Sequence, residues 1–339
     1  MSLDYLPWEA PAAAAAVEAA GGVRWVRLPV PGSLEHINVW LAPGRSGWVL
    51  IDTGMNQPQT QAAWQTLIAT EKLERELTAI LVTHHHPDHF GMAGDLATRF
   101  GVAVRMSAPA RAAAQRSLAP LNGASAAELT DYRDTWGVDF EALLGSARAP
   151  GTLQRLLSGM PAAAPCIVEG ERIAELRDAW QASLHFGHAD GHVCLHWPKG
   201  SLFIGGDQLL PAISSNVSLY PGLASADPLG DFLSSLERLA QLPPETIVLP
   251  AHGQPFRGAA ARVAQLQAGH AQRLARLSDF TAAPRTTMEV VGALFGARNL
   301  EGWNRLLAFG ETLAHIRYLH RRGGLTRRAE GGEVRWQRC

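Results

Sequence analysis

One stretch constrains this 339-residue chain more than any other: Ile80 to Gly94, reading ILVTHHHPDHFGMAG. Its apolar lead, Ile80-Leu81-Val82, has the length of a buried strand rather than a helix. Pro87 stops that strand, and the residues after it begin a helical pattern that Gly101 can close. At a strand end, His84 and His86 point to the same side and His85 points away. Asp88 and His89 open the next helix and approach the same space from another angle. One turn can therefore offer two imidazoles to one ion and a carboxylate with an imidazole to a second. Such donors suit zinc first, with iron or manganese as alternatives. A histidine-rich surface turn is the bland alternative, and four ligand-type residues in six positions weigh against it.

The arrangement His84-x-His86-x-Asp88-His89, set in THxHPDHxG, resembles the signature of the metallo-β-lactamase-fold superfamily, in its glyoxalase II and lactonase-like branch. The resemblance implies further residues in a fixed order. Asp52-Thr53-Gly54, after the strand Trp48–Ile51, matches the aspartate turn that supports the ligand loop; a plain Asx turn fits the same residues. Gly187-His188-Ala189-Asp190-Gly191-His192 stands where the superfamily has G-H-T-P-G-H. His188 is thus the implied ligand, with His185 as its rival, and Ala189 and Asp190 change the turn. Gly205-Gly206-Asp207 matches the element whose aspartate bridges two metals, and Pro250-Ala251-His252-Gly253 supplies the last histidine. The implied site has two divalent ions: His84, His86 and His188 on the first, Asp88, His89 and His252 on the second, and Asp207 between them. The implied fold is an α+β, four-layer αββα sandwich with a small, mostly helical C-terminal domain.

Along the chain, residues 1–22 read as a loose lead-in or short helix. Strands are expected at Val23–Val30, Ile37–Ala42, Trp48–Ile51, Leu77–Thr83, Val102–Met106, Trp180–Phe186, Val193–Trp197, Ser201–Ile204 and Ile247–Leu249. His36 and Asn38 share one strand face, either bordering the cleft or as ordinary half-exposed positions. Residues 108–160 form an alanine-rich helical insertion. Its Trp136, Phe140, Leu143, Leu156, Leu157 and Met160 are either an apolar lid or the small core of an outer layer. Gln208 to Pro221 reads as an ordered loop, with Ser215, Asn216 and Tyr220 as candidate substrate contacts beside His36. Asp227 caps a helix that has Pro228 at its first position. The expected division is 1–258 for the hydrolase domain and 259–339 for a winged-helix-like unit of three helices and a hairpin.

Charge narrows the partners. Thirty Lys+Arg against 31 Asp+Glu give no strong field toward nucleic acid or membrane. The tail is locally basic (Arg317, Arg321, Arg322, Arg327, Arg328), but a solvated face, a homodimer contact or a support for the cleft is favoured over a DNA-reading helix. Cys166, Cys194 and Cys339 have no paired spacing, so no disulfide framework is expected. With no membrane-length apolar run and no signal-peptide layout, a cytoplasmic protein is expected.

The resemblance sets the expected chemistry. Two ions roughly 3.5–4 Å apart lower the pKa of a shared water to about 7, and the hydroxide attacks a carbonyl or phosphorus centre. Asp88 can take up its proton. The absence of the glutamate of the superfamily's flavodiiron oxidases argues against redox chemistry. A small-molecule acyl substrate, thioester or lactone, leads; phosphodiester and β-lactam hydrolysis are the alternatives, and a non-enzymatic metal-binding role stands last.

Overall fold

The computed structural model describes residues 3–147, 151–223, 226–296, 301–330 and 333–339. In chain order the strands of its two large sheets are β1 (Asp4–Tyr5), β2 (Ala16–Ala20), β3 (Val23–Pro29), β4 (His36–Pro43), β5 (Trp48–Ile51), β6 (Leu77–Leu81), β7 (Val104–Arg105), β8 (Gln181–His185), β9 (His192–Trp197), β10 (Leu202–Gly206), β11 (Ile247–Pro250) and β12 (Phe256–Arg257). One six-stranded sheet runs β2-β3-β4-β5-β6-β7 and the other β1-β12-β11-β10-β9-β8.

Alternation in the strands builds the layers. Trp25, Trp40, Val49, Ile51 and Leu81 face Val193, Leu195, Leu202, Ile204 and Leu249 between the sheets. Their neighbours Val26, Val39, Leu50 and Ile80 point the other way, onto Trp64, Leu67 and Leu96 of the flanking helices. On the far side, Phe203, Val248 and Phe256 pack on Phe232, Leu236 and Val263. Both faces of each sheet are thus apolar and covered, the condition for a four-layer sandwich.

The topology also gathers the site. β5 pairs parallel with β6, and β10 with β11, while most other pairings are antiparallel. Parallel neighbours end on the same side. The segments after β5, β6, β10 and β11 therefore emerge at one edge, and these carry Asp52, His84–His89, Asp207 and His252.

Two expectations need correction. Residues 16–20 are not helical: Ala16–Ala20 pairs with β3 at the sheet edge, and Asp4–Tyr5 pairs with β12. Alanine's helix preference is overridden because an unpaired β3 edge offers backbone partners. The insertion has helices Ala108–Ser117, Ala126–Trp136, Phe140–Ala147 and Thr152–Arg155, yet Trp136, Phe140 and Leu143 do not form a lid. They share a core with Leu277, Val290, Phe309, Leu313 and Trp336 of the C-terminal region. Leu157 is buried in the first sheet's outer core, and Met160 packs against it.

The C-terminal region comprises helices Ala259–Phe280, Thr287–Phe295 and Gly302–Arg321, then β13 (Arg285–Thr286), β14 (Leu325–Glu330) and β15 (Glu333–Arg338) in the order β13-β15-β14. Several of its cations are committed internally: Arg317 lies over the Trp136 ring, Arg322 pairs with Asp227, and Arg327 bonds the carbonyls of Asp134 and Thr135. Among the described residues, no helix is long and apolar enough to cross a membrane.

Candidate metal centre

The histidine turn is fixed from beneath by Asp52. Its backbone, at φ +63°, turns β5 sharply, and its carboxylate accepts from the Thr83 N–H (2.8 Å) and from Thr83 Oγ1. His89 Nδ1 donates to Asp52 Oδ2 at 2.7 Å. Because the Thr83 hydroxyl proton goes to Asp52, its oxygen accepts from His84 Nδ1 at 3.0 Å. Elsewhere, His188 Nδ1 donates to the Asn216 carbonyl at 2.8 Å and His252 Nδ1 to the His36 carbonyl at 2.7 Å. Four histidines are thereby held with Nδ1 protonated and Nε2 turned inward, the wiring that a hydrogen-bonded oxygen gives to a metal-ligating imidazole.

Those lone pairs converge. His84 Nε2 lies 2.9 Å from His86 Nδ1 and 3.1 Å from His188 Nε2. With both His84 and His188 protonated on Nδ1, no proton lies between their Nε2 atoms, and a cation is what the gap lacks. Asp207 Oδ2 is 3.4 Å from His188 Nε2, and its Oδ1 is 3.4 Å from both His89 Nε2 and His252 Nε2. Asp88 Oδ2 completes the second pocket, 3.3 Å from His252 Nε2 and 3.7 Å from His89 Nε2. His89 Nε2, His252 Nε2 and Asp207 Oδ1 are buried without hydrogen-bond partners. Orphaned buried polar atoms are costly, and a shared cation satisfies all three. His84, His86, His188 and Asp207 could hold one ion, and Asp88, His89 and His252 another.

Electrostatics agree. Burial pushes His84 and His86 well below the ordinary imidazole range, and their histidine neighbours add to it, so both are neutral donors. Burial also opposes charge on His89, but Asp52, Asp207 and Asp88 overcome it and raise its pKa well above 6.5. Burial likewise opposes ionisation of Asp207, yet His252 and His89 hold its pKa well below the usual carboxylate value. The second pocket is thus strongly electronegative and calls for positive charge.

His185, the rival to His188, lies outside this cluster. Its Nε2 bonds Ser183 Oγ at 3.0 Å. Of the candidate substrate contacts, Tyr220 gives its hydroxyl to the Leu306 carbonyl at 3.0 Å. Asn216 holds His188 through its carbonyl, while its side chain accepts from Ser218 Oγ and donates to the Leu307 carbonyl. His36 supports His252 through its carbonyl, and its Nε2 accepts from the Gly253 N–H at 3.1 Å. Ser215 Oγ donates to the Asp207 carbonyl.

Sequence reading missed several supports. Asn38 is fully buried, and its amide donates to the carbonyls of Pro250 and Gly253, fixing the turn that presents His252. Its alternation with His36 gave that signal only weakly. His192 accepts from the Asp207 N–H at 3.1 Å and stacks on His84. Arg262, buried in the helix Ala259–Phe280, donates to the carbonyls of Leu210 and Ile213 and pins the loop after Asp207. The helix Gly302–Arg321 pins the same loop farther on: Gly310 accepts from the Leu219 N–H at 3.0 Å. A side chain at Gly310 would lie 2.6 Å from Ser218 Oγ and 2.7 Å from Tyr220 Cε1, so only glycine permits this approach.

Comparison with known proteins assigns the family. Residues 32–252 match the metallo-beta-lactamase superfamily, and residues 274–339 match the metallo-beta-lactamase-like C-terminal domain. The chain is 27% identical over 325 residues to the probable metallo-hydrolase YqjP of Bacillus subtilis (strain 168), spanning 91% of this chain and 95% of that one. It is 29% identical over 222 residues to a hydroxyacylglutathione hydrolase of Cereibacter sphaeroides (strain ATCC 17029 / ATH 2.4.9), spanning 65% and 66%. Among solved structures, a beta-lactamase domain protein from Burkholderia ambifaria superposes with a TM-score of 0.89 at 32% identity, covering 99% of this chain and 98% of that one. The chain belongs to the metallo-β-lactamase superfamily and is a metal-dependent hydrolase.

Proposed function

We propose that this hydrolase cleaves the carbonyl–heteroatom bond of a small acyl substrate, a thioester first and a lactone second. In this reading His84, His86 and His188 hold one divalent ion, Asp88, His89 and His252 a second, and Asp207 both, with zinc as the leading metal. The convergence of inward-turned imidazole nitrogens on one another and on the unpartnered Asp207 Oδ1 at one sheet edge carries the binuclear reading. Bound there, the ions would supply Lewis acidity and a more acidic water.

The chain's own residues supply the rest. Asp88 is positioned to accept a proton: its carboxylate is buried but at the cleft, and although burial opposes its charge, His89 and His252 keep it ionised. Asp52, His36 and Asn216 aim the ligating rings and exclude alternative tautomers. The Cys194 thiol, beside His192, is held protonated because burial drives its pKa well up, so it is no nucleophile. The acyl class is supported by the hydroxyacylglutathione hydrolases among the relatives, whose names specify a thioester. The insertion's shared core with the tail lends no support to an apolar lid, so the proposal does not rest on one.

The test is a panel of acyl thioesters, lactones, β-lactams and phosphodiesters, assayed with metal-replete protein. Thioester turnover with the highest kcat/KM is expected. Turnover of phosphodiesters alone would overturn the proposal.

A further inference from the structure

A second group of ligand-type side chains lies outside the catalytic edge, between the helices Ala259–Phe280 and Gly302–Arg321: His270, Glu311 and His315. All three are buried. Glu311 and His315 are four residues apart and share one helix face, while His270 projects from the neighbouring helix. One donor atom from each lies within 4.8 Å of the others.

The proton arrangement of this group is unsatisfied. His315 Nδ1 donates to the Glu311 carbonyl at 2.7 Å, which leaves its Nε2 as a lone pair. That lone pair faces His270 Nδ1 at 3.2 Å. If His270 carries its proton on Nδ1, its Nε2 is a buried acceptor with no donor. If it carries the proton on Nε2, a buried donor lacks an acceptor and two lone pairs face each other. A cation between the rings would take the two facing lone pairs, and it would also satisfy Glu311 Oε1, which is buried with no hydrogen-bond partner. Arg273 Nη1 approaches that oxygen only to 3.6 Å, too far for a hydrogen bond. Burial keeps both imidazoles neutral, the form that binds metal.

His315 repeats the wiring of the sheet-edge histidines: an Nδ1 proton anchored on an oxygen and an Nε2 lone pair turned toward another donor. A separation of 3.2 Å also matches two nitrogens on one ion with bonds of about 2.0–2.1 Å. We propose that His270, His315 and Glu311 form a third, structural site for a zinc-type divalent cation, clasping the two long C-terminal helices together. Two imidazoles and a carboxylate favour zinc over magnesium or calcium. The proposal is independent of the substrate assigned above.

The test counts ions. Full-length protein is stripped with chelator, reloaded with zinc, desalted and measured by elemental analysis beside His270→Gln and Glu311→Gln. Each variant should retain about one ion per chain fewer than wild type; retention equal to wild type would overturn the site. A variant that fails to fold is replaced by a second measurement. In a His86→Ala/His188→Ala/Asp88→Ala/His252→Ala background, which removes two ligands of each sheet-edge ion, zinc should still raise the Tm and its Glu311→Gln derivative should abolish the rise. A Tm indifferent to zinc in that background would equally overturn it.

Discussion

Gly310→Ala probes whether the C-terminal helix holds the candidate metal site in shape. The added methyl would sit 2.7 Å from Ser218 Cβ and from Tyr220 Cε1. Restoring an ordinary carbon contact of about 3.5 Å requires the loop to retreat by roughly 0.8 Å. Asn216 lies two residues from Ser218, and its carbonyl holds His188 Nδ1 at 2.8 Å. A shift of half that size carries the bond to the usual limit of about 3.2 Å, and the full shift carries it past. Overpacking of this kind costs about 1–3 kcal/mol, and loss of a partner that orients a ligand costs about 10–100-fold in metal affinity or activity. Zinc retention measured against a series of chelators should fall by that factor, with kcat reduced and the circular dichroism spectrum intact. Gly292→Ala is the control: it is helical, exposed and has nothing within 4 Å, so it should stabilise by about 0.5–1 kcal/mol and leave zinc retention alone. If Gly310→Ala lowers the Tm while zinc affinity stays within twofold of wild type, the helix is packing only and the reasoning fails.

Two further outcomes are expected. Asp52→Asn keeps the side chain's volume but removes the charge that accepts from His89 Nδ1 and Thr83. Zinc affinity should drop about 10–100-fold with little change in KM, and unchanged chelator competition would exclude a role in orienting the ligands. Burial, aided by the Arg238 charge, pushes the pKa of His185 down to about 3. The unfolded chain binds this proton near pH 6.5 and the folded one only near 3, so the neutral ring's contribution is intact above 6.5 and is lost as pH falls through that window. His185→Gln should therefore flatten the stability–pH curve between those limits by about 1.4 kcal/mol per pH unit. Parallel curves would refute the burial of a neutral ring.

The candidate ligands were legible in the sequence because a strand-to-helix turn is local. The positions of His84, His86, Asp88 and His89 follow from the backbone period alone, and superfamily order supplied His188, Asp207 and His252. Their supports were not legible, because Asn38, Arg262 and Gly310 act on residues up to 215 positions away and look ordinary in their own neighbourhoods. Ala16–Ala20 was missed for a related reason, since its strand exists only because β3 offers it an edge. Trp136 and Phe140 were visible as apolar anchors, but the sequence does not say which surface they bury against. The cap Asp227-Pro228 was legible because it is local, and Asp227 accepts from the Gly230 N–H.

The Trp136–Trp336 pair, with ring centroids 5.3 Å apart, and the Thr287 hydroxyl on the Trp136 carbonyl join segments that synthesis separates widely. The insertion helices leave the ribosome long before the strand that covers them. Until the helices that carry Leu277, Val290, Phe309 and Leu313 follow, Trp136, Phe140 and Leu143 have no apolar partner from the tail and present a sticky surface. Completion of this core must wait for nearly the whole chain, and such distant closure is slow. A nascent protein stalled or cut before the tail helices would therefore be prone to aggregate even though every candidate metal ligand of the sheet edge had already been made.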